Sequence, residues 1–171
     1  MNKPQGATAV AYGRELEHMV EDLFKRQGFA LIEDKSLKRQ FTSGVLMFGS
    51  PELGPRWIMR NVKKYRSLYE TVFFADFVAY DETHLPTGLV LEVKNQSTAG
   101  SVDEKYVYTV LSLKALYQRY NRLEAWLVFS GPGARPCAVS WIKGQQNKHF
   151  KVFNESEIRK HLLSIPKSDF W

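Results

Sequence analysis

The stretch Thr71-Val72-Phe73-Phe74-Ala75-Asp76-Phe77-Val78-Ala79-Tyr80, followed by Asp81-Glu82-Thr83-His84-Leu85-Pro86-Thr87 and then Gly88-Leu89-Val90-Leu91-Glu92-Val93-Lys94-Asn95-Gln96, decides the fold. Two apolar runs, 71–80 and 88–93, flank a segment of turn-forming composition, which predicts a hairpin of two largely buried strands. Polar groups interrupt both runs. Asp76 lies inside the first, where an ionised carboxylate is costly unless a cation pairs with it. On the second, Glu92, Lys94 and Gln96 alternate with Val93 and Asn95, so a two-residue period turns all three to one face. A register that aligns the polar positions adds Asp76 to that face.

Outward from the hairpin, Leu16, Met19, Val20, Leu23 and Phe24 form the stripe of an amphipathic helix that starts near Gly13 and stops at Gly28. Residues 1–10 show no periodicity and are expected to form a loose arm, and Phe29-Ala30-Leu31-Ile32 reads as a short first strand. Residues 34–70 are broken by Gly44, Gly49, Pro51, Gly54 and Pro55, which predicts a long insert with a strand near Val45–Phe48. Ser101 and Glu104 have the spacing of a capping box ahead of the stripe Tyr106, Val110, Leu113 and Tyr117, giving a helix over 102–120. Glu124–Ser130 is another buried strand, Ala138–Ile142 a further one, and Glu155–Leu163 a helix. The order describes an α/β sandwich on a mixed sheet in one domain over 1–171, with a core at 13–130, the insert at 34–70 and a C-terminal extension at 131–171.

Composition narrows the function. Lys and Arg number 24 against 18 Asp and Glu, a net charge of +6 that favours a polyanionic partner. A single cysteine, Cys137, in an expected turn-to-strand segment, reads as an inert thiol and leaves no intramolecular disulfide or multi-cysteine zinc site. His18, His84, His149 and His161 lack the spacing of a helical metal pair. No phosphate-binding loop is present, and Gly131-Pro132-Gly133 reads as a turn, so no nucleotide cofactor is expected. No apolar run reaches about 18 residues and no signal-type apolar core follows Met1, so the chain is expected to be soluble, cytoplasmic and free of the membrane.

Two carboxylates, Asp76 and Glu92, with a main-chain carbonyl such as that of Val93, make a hard oxygen site suited to Mg²⁺. Lys94, two residues beyond Glu92, is placed to orient the attacking water or to offset charge growing on a phosphorane-like transition state. That combination suits phosphodiester hydrolysis.

Ala75-Asp76 followed by Leu91-Glu92-Val93-Lys94 resembles the PD-(D/E)XK nuclease superfamily, with alanine in place of the family's name-giving proline. The resemblance implies a restriction-endonuclease-like fold, with the central mixed sheet flanked by helices and the acidic residues on the second and third strands. It implies that Asp76 and Glu92 bind Mg²⁺, with Mn²⁺ as a substitute, and that Lys94 acts at the attacking water. Glu17, eleven residues before the Gly28-Phe29 pair, matches the helix glutamate of junction-resolvase-like members and would support a metal or a water, with Glu15 and Glu21 as fallbacks. Gln96 matches the extended glutamate-x-lysine-x-glutamine form, and Lys105 would approach the same phosphate. The implied activity is that of a metal-dependent DNA endonuclease, sequence-specific (restriction or homing type) or structure-selective (junction-resolvase type), working as a homodimer or larger homo-oligomer in a bacterial, archaeal or phage setting. RNA remains open as a substrate. The competing reading is a non-catalytic nucleic-acid-binding module or assembly subunit on the same fold.

Basic and aromatic residues interleave in Arg56-Trp57-Ile58-Met59-Arg60-Asn61-Val62-Lys63-Lys64-Tyr65-Arg66, which makes Arg56, Arg60, Lys63, Lys64 and Arg66 candidate DNA contacts. The same residues also fit a helix or strand whose Trp57, Ile58 and Val62 are core. A second basic cluster, Lys143, Lys148, His149 and Lys151, reads as solubilising or as a flank of the same groove.

Overall fold

The computed structural model describes residues 5–32, 53–66, 72–96, 102–120 and 123–167. Helix α1 spans Gln5–Arg26 and is followed by β1 (Ala30–Ile32), β2 (Arg56–Arg66), β3 (Val72–Asp81) and β4 (Leu85–Asn95). Then come α2 (Val102–Arg119), β5 (Glu124–Ser130), α3 (Pro136–Gly144), β6 (Phe150–Asn154) and α4 (Glu155–Ser164). The six strands form one mixed sheet in sequential order. β2, β3 and β4 are an antiparallel meander, β4, β5 and β6 run parallel, and β1 pairs parallel with β2 at the edge.

Each face of the sheet is covered by two helices. α2 and α3, the two crossovers of the parallel half, bury Tyr106, Val110, Leu113, Leu116 and Ile142 against Val90, Ala125, Leu127 and Val152. Crossovers of one hand that add strands in one direction must fall on one face, which accounts for their shared side. α1 and α4 cover the other face, where Leu16, Val20, Leu23, Phe24, Ile158 and Leu162 pack on Phe77, Leu89, Leu91 and Trp126. The stripe read from the sequence is thus the buried stripe of α1. Its stop is a Schellman motif: Gly28 has φ +85°, its N–H donates to the Lys25 carbonyl, and the Phe29 N–H donates to Phe24.

Several expectations change. α1 begins at Gln5, so most of the expected loose arm is helix. Ala138–Ile142 is helical: Pro136 presets the first turn of α3, and the short apolar pieces fit a one-sided helix with Ile142 buried. The strand at that end of the chain is Phe150–Asn154, so the supposed C-terminal extension completes the sheet. The short first strand stands where expected, as a three-residue edge strand at Ala30–Ile32, and the first strand of the meander, Arg56–Arg66, lies inside the expected insert. The hairpin turn shortens to Glu82–His84. The expected strand at Val45–Phe48 and the Ser101 cap lie outside the described residues.

Arg56 is a structural residue, and its expected role as a DNA contact gives way to a buried ion pair. It lies opposite Asp81 in the β2–β3 register, 2.6 Å from Asp81 Oδ2, with both side chains at most 3% exposed. It also donates to the Gln27 carbonyl at 2.7 Å and to the Pro166 carbonyl at 3.1 Å, joining the end of α1, the hairpin and the segment after α4. Burial alone would raise the Asp81 carboxyl, but the Thr83 and His84 amides, the His84 ring and Arg56 together hold it below its ordinary value. Its contribution to stability is therefore present at neutral pH and lost as pH falls below about 4, through the depressed native value. Arg56→Met, which leaves Asp81 enclosed without its cation, is expected to lower the unfolding free energy by about 3–5 kcal/mol in urea titrations. Asp81→Asn should remove part of the acid-dependent slope measured over the same pH series.

Candidate active site

The β3–β4 ladder ends where the chemistry begins. Paired positions run Ala79↔Leu89, Val78↔Val90 and Phe77↔Leu91, and the residues that follow on the two strands are Asp76 and Glu92. Here the strands part, and main-chain amides that would have bonded across the ladder turn to carboxylates instead. The Val93 N–H donates to Asp76 Oδ2 at 2.7 Å, and the Asp76 N–H donates to Glu92 Oε1 at 3.3 Å. Each strand's acid thus satisfies an amide of the other strand.

The parting coincides with a change of facing in the neighbouring pair. Met59 and Val62 on β2 both enter the α2–α3 core, as do Val78 and Ala75 on β3, although regular alternation would send members three apart to opposite faces. The first interval contains Asn61, at φ +50°, and the second contains Asp76, which falls opposite it between the pairs Arg60↔Phe77 and Val62↔Ala75. A left-handed backbone at Asn61 is the irregularity that lets the pair turn over.

Lys94 joins the two acids. Its ammonium lies 2.5 Å from Glu92 Oε2 and 3.5 Å from Asp76 Oδ2. Glu92 is 4% exposed, and burial lifts its carboxyl to about 7 although Lys94 opposes the rise, with the charge of Asp76 adding to it. Burial disfavours the charged lysine, but the two carboxylates outweigh it and hold the Lys94 ammonium above its ordinary value.

Glu17 approaches from α1. Partial burial raises its carboxyl, Asp76 raises it further, and Arg60, Lys94 and His18 pull it back, so it stands in the field of the same group. One helical turn on, Glu21 is buried and paired with Lys25 and with the Arg60 guanidinium, and Arg60 also meets His18 Nδ1 at 3.0 Å. Glu15 is exposed and lines a separate cavity. Of the three helix glutamates, the one that faces the acids is Glu17.

Gln96 is buried just past the end of β4. Its N–H donates to the Ser130 carbonyl at 2.8 Å and its own carbonyl accepts from Gly133 at 2.9 Å. Gly131, at φ +100°, makes this possible, because a β-carbon there would stand 2.1 Å from the Gln96 carbonyl oxygen. The Gly131–Gly133 turn therefore clamps the strand two residues beyond Lys94. Lys105 is exposed in the first turns of α2, and the side chains of Lys63, Lys64 and Arg66 lie outside the described residues.

The donor set at the fork is oxygen alone, which fits a hard divalent cation. Among the described residues no group of three or more His, Cys, Asp or Glu gathers as a complete cage, so a cation held by Asp76 and Glu92 takes its other ligands from main chain, water or substrate.

A family model described as a PD-(D/E)XK nuclease superfamily domain matches residues 8–166. The chain belongs to that superfamily. The match extends well beyond the 13–130 core to include β6 and α4. No curated protein and no solved structure is similar enough to match. Superfamily members generally use divalent metals, and a nucleic acid is the partner that the nuclease domain points to. No helix among the described residues is long and apolar enough to cross a membrane.

His18, the Glu21–Arg60 pair and Gly131 belong to the site's surroundings and were not legible as such. The one signal in the sequence is the helical spacing of His18 and Glu21, which puts them on one flank of α1. Gly131→Ala, at a left-handed position with no room for a β-carbon, is expected to destabilise the protein by about 1–3 kcal/mol in chemical denaturation. Gly144→Ala, on an open helix end, should be nearly neutral in the same experiment.

Proposed function

We propose that the protein is a metal-dependent DNA endonuclease in which Asp76 and Glu92 hold Mg²⁺, or Mn²⁺ in its place. The observation that carries this reading is the meeting of two carboxylates and an ammonium where β3 and β4 separate. A cation bound there supplies Lewis-acid stabilisation of a phosphate oxygen and acidifies the attacking water.

The chain's own residues do the rest. Asp76 is fixed by the Val93 amide, so its free lone pairs keep a set direction. Lys94 places a positive charge beside both acids, where it can orient the incoming water and offset the charge that develops on the phosphoryl oxygens. Glu17 faces Asp76 from α1 and supports a second water or cation. Arg60, about one-third exposed and held by Glu21, offers its open side to the backbone of the nucleic acid. Gln96 and Lys105 flank the path of the strand, with Lys63, Lys64 and Arg66 as further cations along β2. A homodimer would present two such centres to a two-fold target. The long segment between β1 and β2 exceeds what a minimal junction resolvase needs and favours sequence-specific recognition.

The test is cleavage of supercoiled plasmid and of a synthetic four-way junction with Mg²⁺, with Mn²⁺ and with EDTA. Wild type should cut only with metal, and Asp76→Asn, Glu92→Gln and Lys94→Met should each lose about 10²-fold or more in rate while still binding DNA. Full activity in Asp76→Asn or Glu92→Gln would refute the site. Arg60→Gln is expected to lower the slope of log affinity against log salt by about 1, read by fluorescence anisotropy on a labelled duplex. An unchanged slope would move the phosphate contact away from Arg60.

A further inference from the structure

A cavity of about 290 Å³ opens immediately beyond the catalytic strand. Its floor is Asn95 and Ser130, the last pair in the β4–β5 register. Leu16 and Met19 of α1 form one wall, and Glu155 and Arg159 of α4 the other, with Glu15 at the rim. Asn95 follows Lys94 directly and lies three residues past Glu92, roughly 10 Å along a strand that rises about 3.3 Å per residue. The volume is near the lower end of the roughly 300–1,000 Å³ typical of small-molecule pockets.

The lining discriminates between parts of a nucleotide. Arg159 is paired with Glu155 at 2.9 Å, and Glu155 is also 3.4 Å from the Ser130 hydroxyl, so the one cation of the wall is already neutralised. Glu15 has no ion pair among the described residues. A phosphate would meet carboxylates, whereas a neutral ring would meet the Leu16 and Met19 side chains on its face and oxygen acceptors at its edge. Carboxylate acceptors favour bases with an exocyclic amine, which cytosine, adenine and guanine carry and thymine lacks. The same helix that brings Glu17 to the acids brings Leu16 and Met19 to this cavity, so occupancy here and the position of Glu17 are joined through one rigid element.

We propose that this cavity binds one amino-bearing nucleobase, unstacked from the nucleotide adjacent to the cleaved phosphate. Its assignment to the neighbouring nucleotide rests on the nuclease reading. Its preference for an amino-bearing ring rests on the lining alone.

The experiment is titration of the ¹⁵N-labelled full chain with deoxycytidine, deoxyadenosine and thymidine at millimolar concentrations, followed by amide chemical shifts of Asn95 and Ser130. The amino-bearing nucleosides should shift both residues and bind at least about tenfold more tightly than thymidine. Met19→Trp, which fills the cavity, should abolish the shifts, and Glu15→Gln, a substitution at an exposed position, should cut the preference over thymidine several-fold without unfolding the chain. No shift with any nucleoside, or equal shifts with thymidine, would overturn the pocket. Sequencing of the cut ends from the plasmid reaction separates the two readings. Cleavage without nucleoside binding leaves the nuclease standing and removes the pocket, and selective nucleoside binding by a chain that cuts nothing does the reverse.

Discussion

The exchange of hydrogen bonds at the parting of β3 and β4 is the constraint on which the rest of the site depends. Two strands in a buried sheet cannot separate without stranding main-chain amides, and such amides are costly away from water. Asp76 and Glu92 answer that need crosswise, each accepting from the backbone of the other strand. The same bonds fix both carboxylates in position before any ligand arrives. Structural and chemical demands therefore fall on the same two side chains, and Lys94 stands where both are within reach of one ammonium. The clamp at Gly131–Gly133 serves the same end, because it holds β4 in register with β5 just past the point where β3 has left it.

The turnover of β2 and β3 at Asn61 and Asp76 explains why two arginines on one strand differ so much. Arg56 lies before the turnover, opposite Asp81, where the β2–β3 register is regular, and it is consumed by a buried ion pair and two carbonyls. Arg60 adjoins the turnover and emerges along the flank of α1, where Glu21 and His18 hold it while a third of its side chain stays open. Four residues of sequence separate a cation that holds elements together from one available to a ligand. Composition alone treats them as equivalent members of a basic cluster.

The hairpin, the stripe of α1, the helix over 102–120 and the strand at 124–130 were legible because the helices keep one period over many residues and the strands are apolar runs bounded by turn-forming segments. The alternation of Glu92 and Lys94 likewise turned both to one side, and Asp76 meets them where the paired positions of β3 and β4 end. What failed was short or context-bound. Ala138–Ile142 is an apolar run too brief for its period to be told, and Pro136 at the start of the turn was the better guide. β6 is only five residues, Phe150-Lys151-Val152-Phe153-Asn154, a pattern that becomes a strand only because β5 offers an edge. The ion pair of Arg56 with Asp81 depends on register across 25 residues, which no local pattern reveals.

Charge balance at the fork gives the arrangement its chemical direction. Asp76 and Glu92 meet at the fork and Glu17 is coupled to Asp76 from α1, and the cations in the field of these three carboxylates are Lys94 and Arg60, with His18 beside them. Three carboxylates against two such cations leave one excess negative charge, although the chain as a whole is at +6. A polyanion drawn to a basic chain would meet repulsion at the place where the proposed cleavage occurs. A divalent cation reverses the sign of that group, from excess negative to excess positive, with no movement of protein required. On the proposed reading the oxygen donors of Asp76 and Glu92 and the basic excess of the chain would be complementary: the positive charge would concentrate the nucleic acid, and the acids would make its final approach depend on a metal.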